Sequence, residues 1–242
     1  MKPIERVVRD LVIANRILAY KDVVDTSGHV SHRHPAHPDR FLMSRSRSPA
    51  LVARDDILEL SLDCKPTQGD QRPLSVERFI HGAIYEARPD VQSVVHSHSD
   101  EVLPFTISPV PLRAVAHSAS DVGTEVPLWE IREKFGDETR LVVTNMTHGR
   151  DLAAKLGSGN LVLMRGHGYA AASRSIVLVV QMCLELPRNA QAQMLAMQLG
   201  VIKPLSAGEV AARQNSDPDS PAVRRGWEAY ARKAGVGDLL SE

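Results

Sequence analysis

Apolar residues that recur at intervals of three and four positions lie on one face of an α-helix. The start of the chain has this spacing at Ile4, Val7, Val8, Leu11 and Val12. Residues 25–44 then combine turn-forming residues with two short strand-like stretches, GHVSHR and RFLMS. The pattern therefore predicts a helix that leads into a pair of strands.

A second helix is predicted for SVERFIHGAIYEARPD, with Ser75 as its N-cap and Pro89 beyond its end. The apolar strand VQSVVHSH follows, and a further helix is expected from about Asp100. HGRDLAAKLGSGN predicts a short helix closed by Gly157, followed by the apolar strand LVLMRGHG. Helices and strands are thus mixed along this part of the chain, which predicts an α/β protein.

The last third of the chain is predicted to be mainly helical. Residues 173–200 have one long helical pattern, and Pro187 inside it predicts a kink or a break. We expect a main domain over residues 1–204 and a helical extension over 205–242, which contains the polar link RQNSDPDSP and a last helix around AVRRGWEAYARKAG. Trp227 and Tyr230 in that helix could cover an active site or pack on a neighbour. The strands do not alternate strictly with helices, so a mixed or largely antiparallel sheet is favoured over a doubly wound one.

Composition narrows the class of protein. The 242 residues are 43% hydrophobic and 24% charged, with a formal net charge of zero, which gives no electrostatic reason to expect a nucleic acid or an anionic membrane as partner. No apolar run approaches the length of a membrane span. Cys64 and Cys183 have no motif spacing and indicate reduced thiols. We expect a cytoplasmic protein.

The stretch VVHSH is the clearest chemical signal in the sequence. His96 and His98 lie two residues apart at the end of a predicted buried strand, where alternate side chains point to the same side. Two imidazoles side by side are a costly way to fill a core and a good way to bind a metal ion. His167 in LMRGHGYA also follows a predicted strand and lies between glycines, so it is a candidate third ligand.

Three imidazoles leave coordination positions open, as catalytic metal sites do. Glu77 lies near the start of the helix that precedes VVHSH. Its carboxylate is a candidate fourth ligand or general base. His81, one turn later, could bond to Glu77 or serve in the core or an interface, whereas His32, His34 and His37 fit a surface loop better than a metal site.

These motifs together resemble the class II aldolase/adducin superfamily. SGHVSHR, SVERFIHGAIYEARPDVQSVVHSHS and LMRGHGYA occur in the family's order over roughly residues 5–200. The resemblance implies a three-layer α/β/α fold with a mainly antiparallel central sheet. It also implies a divalent metal on His96, His98 and His167, with Glu77 as ligand or acid/base. Finally, it implies a homo-oligomer, a tetramer or larger, with active sites between subunits.

The sequence departs from the family's sugar-phosphate aldolases where they bind phosphate. His29 replaces an asparagine in the first loop, MSRSRSP replaces a Ser-Gly turn, and Val76 replaces the second of two serines. These changes argue against a phosphorylated substrate. Arg45 and Arg47 instead alternate with serines that begin at Ser44, and arginine pairs well with carboxylates.

The HPDRFLMSRSRSP segment resembles the family's decarboxylases of hydroxylated aromatic dicarboxylates. The resemblance implies non-oxidative decarboxylation of a substrate of the 3,4-dihydroxyphthalate or 3-hydroxy-2-methylpyridine-4,5-dicarboxylate type. His29, Ser44, Arg45 and Arg47 would bind this small aromatic carboxylate, and Glu77, or a water it controls, would supply the proton. His117 matches a segment that approaches the metal in the family, and a buried structural role is the alternative.

Manganese is the favoured metal in this interpretation, while zinc, iron and cobalt also suit imidazole and carboxylate ligands. Two other functions stay open at this stage. One is a metal-dependent retro-aldolase or epimerase that acts on a non-phosphorylated hydroxy acid. The other is a non-catalytic interaction protein, which the intact set of ligands disfavours.

Overall fold

The computed structural model describes residues 1–213 and 216–242. The helices in this part of the chain are α1 (Pro3–Tyr20), α2 (Arg78–Ala87), α3 (Leu103–Ile107), α4 (Arg132–Phe135), α5 (Met146–Leu156), α6 (Ile176–Leu199), α7 (Ala207–Ala211) and α8 (Pro221–Lys233). The strands are β1 (His29–Arg33), β2 (Arg40–Ser44), β3 (Ile57–Ser61), β4 (Ser93–Ser97), β5 (Leu128–Trp129), β6 (Leu161–Met164) and β7 (Gly168–Ser173).

The strands form one sheet in the order β3-β2-β1-β4-β7-β6-β5. Of the described pairings, only β5 with β6 is parallel. The prediction of an α/β fold with a mainly antiparallel central sheet is confirmed. β1, β4 and β7 lie in the middle of the sheet, so the two histidine motifs are on adjacent strand ends.

Each face of the sheet has its own hydrophobic core. On one face Val95 and Tyr169 pack with residues of α1, α6 and α8, and on the other Val94 and Ala170 pack with residues of α2 and α5. This alternation along β4 and β7 follows from the two-residue period of a strand. The sheet is thus the middle of three layers.

Helix α8 belongs to the core of the α1 and α6 face. Trp227 is 5% exposed there, and Tyr230 packs against the same cluster. Both residues therefore contact this chain's own helices rather than the metal motifs. The division of the chain at residue 204 stays a prediction, and Gln214 and Asn215 of the predicted polar link lie outside the described residues.

Three details of the predicted helices differ from the structure. Helix α2 begins at Arg78 with Glu77 at its N-cap position, so Ser75 is not the cap, and the short helix α3 begins at Leu103 rather than near Asp100. Pro187 does not break α6, which is continuous from Ile176 to Leu199. Buried residues on both sides of Pro187, from Cys183 to Ala190, hold α6 against the sheet, and this packing offsets the hydrogen bond that proline cannot make.

Among the described helices, none combines the length and the apolar character that a membrane span requires.

Candidate metal centre

The sheet brings His96 and His98 to one point. His96 is the fourth residue of β4 and is fully buried, and His98 follows the last residue of that strand. The Nε2 atoms of the two rings lie 2.9 Å apart. The prediction that the two imidazoles lie side by side is therefore confirmed.

His167 reaches the same point from the turn between β6 and β7. Its Nε2 lies 3.0 Å from Nε2 of His98. Gly168 makes this approach feasible, because a Cβ at that position would lie 2.1 Å from the carbonyl oxygen of Ser97. Gly166 has a φ of +62°, a conformation that glycine adopts at little cost.

Glu77 completes the cluster from the start of α2. Its Oε2 lies 3.1 Å from Nε2 of His96, 3.3 Å from that of His167 and 3.9 Å from that of His98. Its other oxygen accepts a hydrogen bond from the Val143 amide at 3.0 Å. The four ligand atoms lie within 4.8 Å of one another.

The donor set fits a divalent metal ion. Nδ1 of His96 donates to the Tyr169 carbonyl at 2.9 Å, and Nδ1 of His98 donates to Asp25 at 3.1 Å. Each neutral ring then carries a lone pair on Nε2, and these two lone pairs face each other. Neighbouring ligands of a metal at about 2.1 Å are separated by roughly 3.0–3.5 Å, which is close to the four shorter separations here, between 2.9 and 3.3 Å. Glu77, His96, His98 and His167 would hold the ion.

Electrostatics agree with this donor set. Burial raises the pKa of Glu77, but its close contacts with His96, His167 and His98 outweigh burial and bring this pKa well below its usual range. Burial lowers the pKa of His96 despite the presence of Glu77. Burial also lowers the pKa of His98, but Glu77 and Asp25 outweigh burial and raise it above its ordinary value. Without a metal the site therefore presents a carboxylate and a neutral His96, and His98 gives up a proton when it binds a metal.

A cavity of about 280 Å³ adjoins the cluster. Its lining includes Glu77 together with the predicted substrate residues His29, Ser44, Arg45 and Arg47. Nε of Arg45 lies 2.7 Å from one oxygen of Asp56, and Nε of Arg47 lies 3.1 Å from the other. Nε of Arg45 donates to Asp56, whereas Nε of Arg47 donates to the Leu51 carbonyl at 2.9 Å. Among the described contacts of the two arginines, none uses a terminal nitrogen, so these nitrogens can bind an anion in the cavity.

His29 and His81 belong to a buried hydrogen-bonded chain beside the cluster. His29 pairs with His96 across β1 and β4, and its Nδ1 lies 2.7 Å from Nε2 of His81. Nδ1 of His81 lies 2.6 Å from Oγ of Ser31, which lies 2.7 Å from the hydroxyl of Tyr85. His81 thus bonds to His29 and Ser31 instead of Glu77.

The remaining histidines lie elsewhere. His117 begins the turn of 3-10 helix at 117–122 and is exposed, so the alternative of a buried structural histidine was wrong, and a role in the active site stays a prediction. His32 belongs to β1 rather than to a loop. His34 is half-buried, with its Nε2 3.7 Å from Oε2 of Glu59, and His37 is exposed.

The sequence did not reveal three contributors to the site. Asp25 orients His98, the Val143 amide holds Glu77, and Tyr85 ends the chain that starts at His29. Asp25 precedes the Ser-Gly turn at 27–28 and accepts bonds from both amides of that turn. A local turn was therefore readable, but its contact with His98 was not.

Comparison with known proteins gives a consistent result. A family model described as "Class II Aldolase and Adducin N-terminal domain" matches residues 9–194. The chain is 32% identical over 255 aligned residues to the decarboxylase tropJ of Talaromyces stipitatus, with 97% of this chain and 96% of that protein covered.

Two further relatives have more specific names. The chain is 27% identical to a 4-hydroxy-3-prenylphenylpyruvate oxygenase/4-hydroxy-3-prenylbenzoate synthase of Streptomyces roseochromogenus subsp. oscitans, with 84% of this chain and 71% of that protein covered. It is 25% identical to the 3,4-dihydroxyphthalate decarboxylase of Arthrobacter keyseri, with 69% and 68% covered.

The fold also has solved counterparts. The structure of an aldolase II superfamily protein from Pseudomonas syringae aligns with a TM-score of 0.80 at 21% identity, over 99% of this chain and 96% of that one. At this identity the likeness concerns the fold alone.

Proposed function

Because the chain belongs to the class II aldolase and adducin family, we propose that it is a metal-dependent carboxy-lyase that decarboxylates a hydroxylated aromatic dicarboxylate without oxidation. The decarboxylase branch of the family and a carbon–carbon lyase are the expectations that the relatives confirm. The aromatic dicarboxylate is the finer part of the proposal. Substrates of the 3,4-dihydroxyphthalate or 3-hydroxy-2-methylpyridine-4,5-dicarboxylate type have the required groups.

One observation carries the proposal: the four-residue cluster opens beside a cavity that two arginines line. A hydroxyl and an adjacent carboxylate on an aromatic ring suit the metal side of this cavity. A second carboxylate suits the arginine side, because guanidinium groups bind carboxylates with charge-assisted bonds. The substrate class that fits both sides is a hydroxylated aromatic dicarboxylate.

The chain's residues divide the work of such a reaction. When bound, a divalent ion supplies a positive charge that stabilises negative charge developing on the substrate. Arg45 and Arg47, with Ser44, hold the carboxylate that stays. Glu77, which is anionic, or a water that it controls, takes the proton of the substrate hydroxyl and delivers it to the ring carbon. The bond from that carbon to the other carboxylate then breaks, carbon dioxide leaves, and the phenolate takes a proton from solvent.

Manganese is our proposed ion. A carboxylate with three imidazoles also suits zinc, iron and cobalt. His117 is proposed to act at the active site of a neighbouring subunit in a homo-oligomer, a tetramer or larger. The exposure of His117 supports this arrangement, as do the exposed apolar side chains Leu199 and Val201 at the C-terminal end of α6. Light scattering would measure the assembly. We further propose that the protein is cytoplasmic.

The experiment is a substrate panel with protein loaded with manganese. Carbon dioxide release from 3,4-dihydroxyphthalate and from the pyridine dicarboxylate is measured beside aldehyde release from non-phosphorylated sugar acids. An oxygen electrode records any dioxygen uptake, which the oxygenase among the relatives makes a necessary comparison. Carbon dioxide release from a dicarboxylate without oxygen uptake is the expected result. Aldehyde release alone, or turnover that consumes oxygen, would contradict the proposal.

A further inference from the structure

The hydrogen-bonded chain of side chains that runs from Tyr85 to His29 ends at a nitrogen without a partner. Nε2 of His29 is buried and has no hydrogen-bond partner among the described residues, although the other polar side-chain atoms of the chain are bonded. His29 is 5% exposed and lines the cavity beside the metal cluster. A buried polar atom without a partner costs free energy, so a ligand that supplies the partner would recover this cost.

Both histidines of this hydrogen-bonded chain are buried. Nδ1 of His29 and Nε2 of His81 lie 2.7 Å apart, so only one of these two atoms carries a hydrogen. A neutral imidazole carries one hydrogen, on Nδ1 or on Nε2. The hydrogen bonds can therefore be donated along the four side chains in two orders, from Tyr85 towards His29 or from His29 towards Tyr85. The first order puts the hydrogen of His29 on Nε2, and the reverse order puts it on Nδ1.

The position of Tyr85 distinguishes the two orders. In the first order the Tyr85 hydroxyl donates to Ser31 at 2.7 Å, Ser31 donates to His81, and His81 donates to Nδ1 of His29. In the reverse order Ser31 donates to Tyr85, whose hydroxyl must then donate to the Gln92 carbonyl at 3.5 Å. That separation is at the limit of a hydrogen bond, so the first order is favoured and the hydrogen of His29 is on Nε2.

We propose that His29 donates its Nε2–H to an oxygen of the substrate, and that Ser31, His81 and Tyr85 are positioning residues that hold the ring in this tautomer. The inference rests on the proposed function, because the acceptor is an oxygen of the proposed substrate. A carboxylate or phenolate oxygen fits this donor. An ammonium group at the same place on a substrate analogue has no lone pair to accept this hydrogen, so the site favours an oxygen there.

The tautomer is measured directly by nitrogen NMR of protein with ¹⁵N-labelled histidine. The protein is loaded with zinc, which is diamagnetic, and the His29 signals are assigned with His29→Gln. The expected spectrum has the hydrogen of His29 on Nε2 and a bare Nδ1. A hydrogen on Nδ1 would overturn the proposal.

Ser31→Ala tests the positioning role, and Ser93→Ala is its matched control, because Ser93 is equally buried on the adjacent strand and its hydroxyl has no partner among the described residues. We expect Ser31→Ala to give signals of both His29 tautomers and to weaken phthalate binding several-fold, with the zinc content unchanged. Ser93→Ala should keep the parent tautomer and affinity. An unchanged tautomer in Ser31→Ala would overturn the positioning role.

Calorimetry with phthalate then tests the donor. His29→Ala should weaken binding roughly ten- to hundredfold, the effect of losing a bond to a charged acceptor, while His29→Gln keeps an N–H donor and should recover part of the loss. Equal affinity in all three proteins would overturn the contact. Neither readout requires turnover, so a failed decarboxylase assay with these results intact would contradict the proposed function and not the assignment of the donor.

Discussion

The Nε2 atoms of His96 and His98 lie 2.9 Å apart, although the Nδ1–H of each ring already donates to a different acceptor. Two imidazoles with a hydrogen on Nδ1 alone, the form that binds a metal, direct lone pairs at each other, with the anionic Glu77 3.1 Å from the first. A cation between them would turn this repulsion into attraction. The arrangement of acceptors behind the rings thus prepares the site for a metal ion.

Removal of the metal should destabilise the protein. A ligand present at about 100 times its dissociation constant adds about 2.7 kcal/mol to the free energy of unfolding. Treatment with a chelator should therefore lower the melting temperature, and manganese or zinc should restore it. His96→Ala and His98→Ala should lose both the bound metal and this response. Unchanged metal stoichiometry in both variants would contradict the predicted ligands.

Asp25 should control metal affinity without being a ligand. Asp25→Asn keeps an oxygen for the turn at 27–28 but can place an N–H opposite Nδ1 of His98, which favours the wrong tautomer. Loss of such an outer partner typically costs ten- to hundredfold in metal affinity, and competition with a chelating dye measures it. Asp100→Asn, an exposed change two residues from His98, is the control and should have no effect. Equal affinities in the two variants would show that Asp25 is not needed.

The sequence predicted the part of the site that depends on local spacing. His96 and His98 converge because strand residues alternate, and the glycines beside His167 permit the close approach that was inferred for them. The order of helices and strands, together with the family resemblance, predicted the mainly antiparallel sheet. What it predicted less well is local geometry that tertiary contacts override, such as the start of α2 and the continuity of α6 through Pro187.

Partners that are distant in sequence could not be predicted. Tyr85 and Ser31 are 54 positions apart, and Asp25 and His98 are 73 apart. Asp56 is a similar case, since nothing in SRSRSP indicates that one carboxylate pairs with both arginines. These contacts depend on how the helices and strands pack. They orient side chains that the motifs can only identify.

Asp56 should stabilise the fold in a pH-dependent way. Burial raises its pKa, but the Ala53 amide, Arg45 and Arg47 outweigh burial and lower this pKa below its ordinary value. A carboxyl whose pKa is lowered on folding adds stability above its unfolded pKa of about 3.9, and this stability is lost as the pH falls through the folded pKa. Asp56→Asn should therefore lower the free energy of unfolding by about 1–3 kcal/mol at pH 7.

The difference between Asp56→Asn and the parent should shrink below about pH 4, where the parent carboxyl begins to take up its proton. Urea unfolding at pH 7 and at pH 3 measures both values. Asp55→Asn, an exposed neighbour, should show little effect at either pH. A difference that is the same at both values would mean that the charge of Asp56 does not contribute.

The arginines carry the substrate proposal, so they supply its sharpest prediction. Arg47→Ala should lose a charge-assisted contact worth about 1.5–3 kcal/mol, roughly ten- to hundredfold in kcat/KM for a dicarboxylate. Metal content should stay normal, because Arg47 lies with Asp56 and is not a ligand. Arg47→Lys should recover only part of the loss, since an ammonium keeps the charge but not the planar pair of donors. Steady-state kinetics and metal analysis of each variant measure these effects.

A monocarboxylate analogue without the retained carboxylate completes the test. It should be a poor substrate for the parent protein and should show little further loss in Arg47→Ala, because the contact is already missing; this double comparison isolates the pair. Arg40→Ala is the matched control, since Arg40 pairs with Glu59 and is not part of the cavity lining. If Arg45→Ala and Arg47→Ala both decarboxylate dicarboxylates at the parent rate, the arginines do not bind the substrate. The enzyme would then be a family lyase whose specificity comes from the metal side of the cavity, where His29 lies 5.2 Å, ring centre to ring centre, from His96.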